Sequence, residues 1–216
     1  MPFPAGAQPG IDVSHFQAVV DWNTVSSGGD VFAFAKASEG ASVKDMYFAD
    51  NWVGMKTAGL LRGAYHFFHP STDAQVQADL FLQVLASANG GSPLLAQGDL
   101  PAALDLEVAD GVAPADIIAG AAQWLAAVQA ATGRTPLLYT YPNFWQTTMG
   151  NPNDLAGYPL WIAHLGVSAP TIPGGWGNWF FWQFDQQPVS GVPSAVVDLD
   201  AFNGTLHDLQ TFAGYP

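Results

Sequence analysis

The chain of 216 residues is 49% hydrophobic and only 11% charged, with a formal net charge of −13, a composition that folds around a core rather than staying disordered. The acidic balance argues against a non-specific nucleic-acid footprint and against electrostatic docking on an anionic membrane. Without cysteine there is no disulfide framework or thiolate site, no run has the length of a membrane span, and the opening MPFPAGAQPG lacks a signal-peptide pattern.

Residues 1–9, rich in Pro, Gly and Ala, read as a flexible arm ahead of a single domain over 10–216. Residues 10–14 form a short apolar strand that carries Asp12. Asp21, Trp22 and Asn23 open a helical turn that stops at Gly28 and Gly29. Residues 31–37 form a second strand, with Lys36 near its end and Glu39 just beyond. Phe48, Trp52 and Met55 have helical spacing, and Gly59 ends that helix. Residues 60–68 form a third strand, carrying Tyr65 and His66. Over 71–88, Val76, Leu80, Phe81 and Val84 repeat at helical intervals, with Ser71 or Thr72 available as a cap. A Gly-rich loop follows over 89–98.

The next stretch, DLPAALDLEV at 99–108, reads as a buried parallel strand whose oily run ends in two acids. Asp105 and Glu107 are two apart, so in a strand both point to one face, roughly 6.5–7 Å apart at Cα. Two acids there cost free energy unless something uses them. Paired carboxylates are the usual equipment for cleaving glycosidic bonds. A metal pair or an ion-paired strand end is the alternative, but only 5 Lys and Arg face 18 Asp and Glu.

Residues 114–132 read as a long helix, opened by Pro114 and stopped by Gly133. Strands follow at 136–141, 158–165, 178–184 and 196–198, with a short helix near 143–148 and a small apolar segment at the tail. Strand, connector, strand recurs about eight times, which is the order of a parallel-rich α/β barrel. The chain is short for a full eightfold barrel, so helices must be missing or stunted, chiefly after the fifth strand. Nearly every strand ends in a polar group: Asp12, Lys36, Tyr65 with His66, Asp105 with Glu107, Tyr139 with Tyr141, His164, Gln183 and Asp198. In a barrel these ends share one rim, where barrel enzymes keep their chemistry. Acids walled by aromatics suit a sugar.

Lys36 and Glu39 have the spacing of a rim ion pair of small energetic value. His66 and His69 read as structural, and no histidine spacing suggests a metal site. Trp22, Trp52, Trp124 and Trp145 read as packing residues; Trp161, Trp176, Trp179 and Trp182, on or near the later strands, are the candidates for stacking on sugar.

The stretches GIDVSHFQ (10–17), VDWNTV (20–25), FAFAKASEG (32–40), AGLLRGAYHFFHP (58–70), LPAALDLEV (100–108), TGRTPLLYT (132–140), PLWIAHLG (159–166), WQF (182–184) and VVDLDAFNG (196–204) together resemble glycoside hydrolase family 25, the Chalaropsis-type muramidases. The resemblance implies an irregular TIM-like α/β barrel with eight strands and fewer than eight helices. It implies hydrolysis of the β-1,4 bond between N-acetylmuramic acid and N-acetylglucosamine in peptidoglycan, by a secreted or wall-acting monomer without a cofactor. By motif, Glu107 is the general acid and Asp105 its partner, with Asp12 and Asp198 the further acids; either Asp198 or Asp200 fits the last place, and motif position favours Asp198. Tyr65, Tyr139 and Gln183 match positions near the sugar, and Trp161 and Lys36 join them as substrate-binding candidates. Ala18 stands where Gly is common, and Phe184-Asp185 where Tyr is common. Crowding by the other acids is expected to raise the pKa of Glu107. Asp105, left ionised, then either steers a participating acetamido group or activates water with inversion; the short spacing favours the first.

Overall fold

The computed structural model describes residues 2–216. In chain order its strands are β1 (Gln8–Val13), β2 (Phe32–Glu39), β3 (Val43–Lys44), β4 (Leu61–Phe67), β5 (Ala103–Asp105), β6 (Leu137–Thr140), β7 (Leu160–Ala163), β8 (Phe181–Gln187) and β9 (Val197–Phe202). The helices are α1 (Trp22–Ser27), α2 (Phe48–Thr57), α3 (Ala74–Ala88), α4 (Pro114–Thr132) and α5 (Leu206–Phe212). The sheet order is β1-β9-β8-β7-β6-β5-β4-β2-β3, and β1 also pairs with β2. That pairing closes a barrel of eight strands, leaving β3 as a hairpin added outside on β2. From β1 through β8 the barrel neighbours run parallel, while β9 runs antiparallel to both β8 and β1.

Side-chain alternation along each strand sorts the sequence into three layers. In β2, Phe32 and Phe34 point inward while Ala33, Ala35 and Ala37 face the helices. Small outward residues let the helices approach, and large inward ones fill the barrel. Inside, Phe32, Phe34, Trp161, Phe181 and Phe202 meet in edge and tilted ring contacts 4.5–6.4 Å between centroids, the geometry that ring quadrupoles favour. Glycine makes room for two of these rings. A Cβ on Gly63 would stand 2.1 Å from Phe34, and one on Gly10 would stand 2.6 Å from Phe32. The N-terminal end of the barrel is plugged by α5, whose Leu209 and Phe212 join the inner cluster.

The outer layer packs α1–α4 against β1, β2, β4 and β5. After β6 there is only a π-helical turn, Phe144–Thr148, and no helix separates β7 from β8 or β8 from β9. A third apolar cluster covers that side instead, built from Leu160, Ile162, Trp182, Phe184 and Ala201 with Trp176 and Trp179 against it. Two buried polar ties brace the outer wall. Arg62 on β4 donates to Asp99 Oδ1 at 2.7 Å and to the Trp52 carbonyl at 2.7 Å. His66 stacks on Trp124 and bonds Ser38 Oγ at 2.8 Å and Gln77 Oε1 at 3.1 Å. Gln77 presents its carbonyl oxygen there, so His66 donates from Nε2 and accepts the Ser38 hydroxyl at Nδ1.

Several boundaries differ from the sequence reading. β1 begins at Gln8 because Gln8 and Pro9 pair with Phe202 and Ala201 of β9, so the arm is shorter than 1–9; Phe3 also lies edge-on to Phe184. Helix α3 is capped by Asp73, which accepts from the Val76 N–H at 3.0 Å. Neither Ser71 nor Thr72 caps it; Ser71 Oγ turns to Asp110 instead. The last strand is longer than 196–198 and reversed in direction, which brings Asp198 to the rim at the start of β9 rather than at a strand end.

Candidate active site

At the C-terminal mouth of the parallel strands lies a cleft of about 270 Å³. Its wall includes Asp12, Lys36, Tyr65, Asp105, Glu107, Tyr139, Trp161, Gln183 and Asp198, which are all the site residues expected from sequence. One parity rule gathers them. On β2 the inward series 32, 34 continues to Lys36. On β8 Phe181 is followed two on by Gln183. On β5 Ala103 is followed by Asp105. Glu107 lies past the end of β5, but the Leu106 N–H still donates to the Tyr139 carbonyl at 3.0 Å. Ladder pairing thus carries on beyond Asp105 and keeps Glu107 on the cleft side. β9 runs the other way, so its first inward residue, Asp198, reaches the same mouth opposite Asp12.

The same parity removes three tryptophans from the list of sugar-stacking candidates. Trp182 alternates with Gln183 and points outward, where its indole donates to the His164 carbonyl. Trp179 packs on it, and Trp176 packs on Trp145. Phe184 is also outside, so the hydroxyl absent there is not absent from the cleft. Only Trp161 of the four lines the site, edge-on to Tyr139 and Tyr65.

The sequence reading missed Ser14, Phe16, Gln17, Phe67 and Gln186 on the cleft wall. The 14–18 loop is tightly built. Ser14 and Gln17 form a capping box, Gln17 Nε2 donates to the Val196 carbonyl, and the His15 N–H donates to Asp45 at 2.7 Å. It holds Phe16 at 76% exposure beside the cleft. The S-x-x-Q spacing was the available signal. Lys36 forms the ion pair with Glu39 that its spacing predicts, but as a buried rather than a surface charge. Its side chain is 8% exposed, its Nζ lies 2.5 Å from Glu39 Oε2, and it sits over the Phe67 ring.

The acids differ in how they are held. Asp12 Oδ2 accepts from Gln183 Nε2 at 2.7 Å, and Gln183 Oε1 accepts from the Tyr139 hydroxyl at 3.1 Å. Asp198 accepts from Gln186 Nε2 at 2.7 Å. Among the described residues no side chain or backbone group donates to Glu107, and the buried Asp105 Oδ1 also lacks a donor. Burial is the first cause of the raised pKa of Asp12, Asp105, Glu107 and Asp198. Charge repulsion adds to it at the first three, and Lys36 opposes it at Asp105 and Glu107. From sequence, like-charge crowding is the expected cause at Glu107, and Asp105 is expected to stay ionised. The cleft instead raises both, first by burial, with the charge of Glu107 adding to it at Asp105. Tyr65 and Tyr139 are pushed up by burial and remain hydroxyl donors.

Against known proteins, residues 11–192 match the model of the glycosyl hydrolases family 25. The chain belongs to glycosyl hydrolase family 25. This family 25 chain is 37% identical to lysozyme M1 of Streptomyces globisporus, over 94% of this chain and 70% of that protein. It is 36% identical to the N,O-diacetylmuramidase of Chalaropsis sp, over 94% of this chain and 98% of that one. Its fold superposes on the crystal structure of the Streptomyces coelicolor lysozyme with a TM-score of 0.87 and 38% identity, covering 97% and 98% of the two chains. It is a glycoside hydrolase on the barrel of its family.

Proposed function

We propose that this family 25 hydrolase is a muramidase. It cleaves the β-1,4 bond between N-acetylmuramic acid and N-acetylglucosamine in peptidoglycan and acts at the bacterial cell wall. The observation that carries the reading is the pair Asp105 and Glu107, two carboxyls without a protein donor facing an aromatic-walled cleft. Groups left unpaired in the free protein are available to substrate atoms. The relatives named lysozyme and N,O-diacetylmuramidase support the choice of substrate.

In this reading Glu107, partly exposed to the cleft and with its pKa raised by burial, gives its proton to the leaving glycosidic oxygen. Asp105, in its ionised form, accepts the acetamido N–H of the sugar being cleaved and turns its carbonyl oxygen toward the anomeric carbon. Attack from that oxygen expels the leaving sugar and forms a cyclic intermediate. Glu107 then takes a proton from water as it opens the ring, with retention. Asp12 and Asp198 stabilise the positive charge that develops. Tyr65, Tyr139 and Gln183 bond hydroxyls, Trp161 offers its ring to the sugar's C–H face, and Lys36 limits how far the acids' pKa values rise.

Digestion of purified peptidoglycan followed by borohydride reduction tests this. New muramitol ends are expected. Glucosaminitol ends, or faster release from chitooligosaccharides than from peptidoglycan, would overturn it in favour of another N-acetylhexosamine polymer.

A further inference from the structure

One buried acid takes no part in the scheme above. Asp200 follows Asp198 by two on β9, so it shares the inward face but sits a layer deeper, 1% exposed. Its register partners are Gly10 of β1 and Gln183 of β8. Asp200 Oδ1 accepts from the Trp161 indole Nε1 at 2.8 Å. Oδ2 is fully buried, and with the group ionised no donor reaches it. Asp12 lies two places along β1 from Gly10, the register partner of Asp200, and both acids flank Gln183, which pairs with Asp200 and donates to Asp12. Two carboxylates side by side cannot bond one another, so a bond between them needs a proton on one. An acid at Asp200 removes the orphan oxygen and the repulsion at once.

We propose that Asp200 is a positioning residue that stays protonated beneath the cleft, donating from Oδ2 to Asp12 while its other oxygen anchors the Trp161 indole. This rests on the reading that Asp12 and Trp161 face the substrate. The groups facing Asp200 are Asp12 on β1, Asp198 on β9, Gln183 on β8 and Trp161 on β7. None is a cation, and only the Trp161 indole bond favours an ionised Asp200. Burial, first, and then the charges of Asp12 and Asp198 push its pKa well above the ordinary carboxylate range. The donated hydrogen bond favours the ionised form of Asp12. The chain of bonds then runs from Tyr139 through Gln183, Asp12 and Asp200 to Trp161. It ties the ionised acid and the stacking ring to one element.

Two variants separate this from a merely structural role. In Asp200→Asn a neutral amide can still donate to Asp12 and accept from Trp161. In Asp200→Leu both bonds are lost. The Asn variant is expected to keep kcat/KM within about twofold and to keep the wild-type pH profile. The Leu variant should lose roughly 10-fold or more, with its acid limb moved to higher pH because Asp12 has lost its donor. Substrate-free spectra give an independent reading. The infrared difference between wild type and Asp200→Asn at neutral pH should contain the carbonyl band of a protonated carboxyl. The Trp161 indole N–H resonance should stay in place in Asn. A carboxylate band in that difference, or an Asn pH profile shifted to lower pH, means an ionised Asp200 and overturns the proposal, even where Asp200→Leu does not fold. Failure of the muramidase reading would instead appear as wrong reducing ends with the wild-type enzyme, leaving these spectra unchanged.

Discussion

Glu107→Gln is the sharpest perturbation of the site because it separates chemistry from folding. The amide has the size of the acid but no transferable proton. Loss of general acid catalysis is expected to cost on the order of 10²–10⁴ in kcat, equivalent to about 2.7–5.4 kcal/mol of barrier. Stability should not follow it down. No protein group donates to the Glu107 side chain among the described residues, so no native hydrogen bond breaks. Its charge raises the pKa of both Asp105 and Asp12, so a neutral residue relieves repulsion at neutral pH. Clearing of a cell-wall suspension reads the first quantity and a thermal melt the second. A folded Glu107→Gln protein with near-full lytic activity would move the acid role elsewhere. A melt lowered by several degrees would show that Glu107 carries a structural bond.

Asp105→Asn tests the partner: with acetamido participation the first-formed product, caught by proton NMR before mutarotation, is the β-anomer, and the Asn variant is slowed strongly without rescue by azide. An α-anomer as first product from wild type would mean that water attacks directly with inversion. Ala18 has φ 54° and ψ −138°, a region costly to a residue with a Cβ, so Ala18→Gly should stabilise by about 0.5–2 kcal/mol after the entropy of Gly is subtracted; a lower denaturation midpoint for Gly would refute the strain. His66 is held down to about 4 from 6.5, first by burial. Its unfolded form takes up a proton before the folded form does, so the stability it contributes is present above pH 6.5 and lost as pH falls toward 4. The deficit of His66→Asn relative to wild type, measured by urea titration, should therefore shrink by about 3 kcal/mol over that window; a deficit constant with pH would mean that His66 titrates normally.

Much of this molecule follows from parity. In FAFAKA the alternation of Phe with Ala already assigns an inside and an outside, and it places Lys36 on the inside. The same rule applied to NWFFWQF separates Gln183 from Trp182, yet only after the strand is known to begin at Phe181 rather than at 178. Register decides which parity faces the core, and register is set by pairing partners remote in sequence. The reversal of β9 was illegible for the same reason. Nothing local in VVDLDAF distinguishes a parallel from an antiparallel strand, although either direction brings Asp198 to the mouth. The capping of α3 was a local question, and local chemistry answered it ambiguously, since Ser71, Thr72 and Asp73 are all able caps. Asp73 takes the place, while Ser71 engages Asp110 from a different loop.

The scarcity of basic residues has a role once each is placed. Arg62 is on the outer wall, bound to Asp99. Arg134 donates to the Asp99 and Ala96 carbonyls. Lys44 donates to Gln83 on the surface, and Lys56 lies in the last turn of α2, where a cation suits the helix dipole. Lys36 alone reaches the cleft, and its ammonium is engaged by Glu39, which His69 also holds. A second cation beside Asp105 and Glu107 would favour their ionised forms, against the acid role proposed for Glu107. The folded state carries the cost. Each buried acid with a raised pKa contributes stability that is full below the unfolded value of 3.8 and lost as pH rises through the folded value. A sheet closed into a barrel around an aromatic interior is the kind of scaffold that can carry that charge without local unfolding.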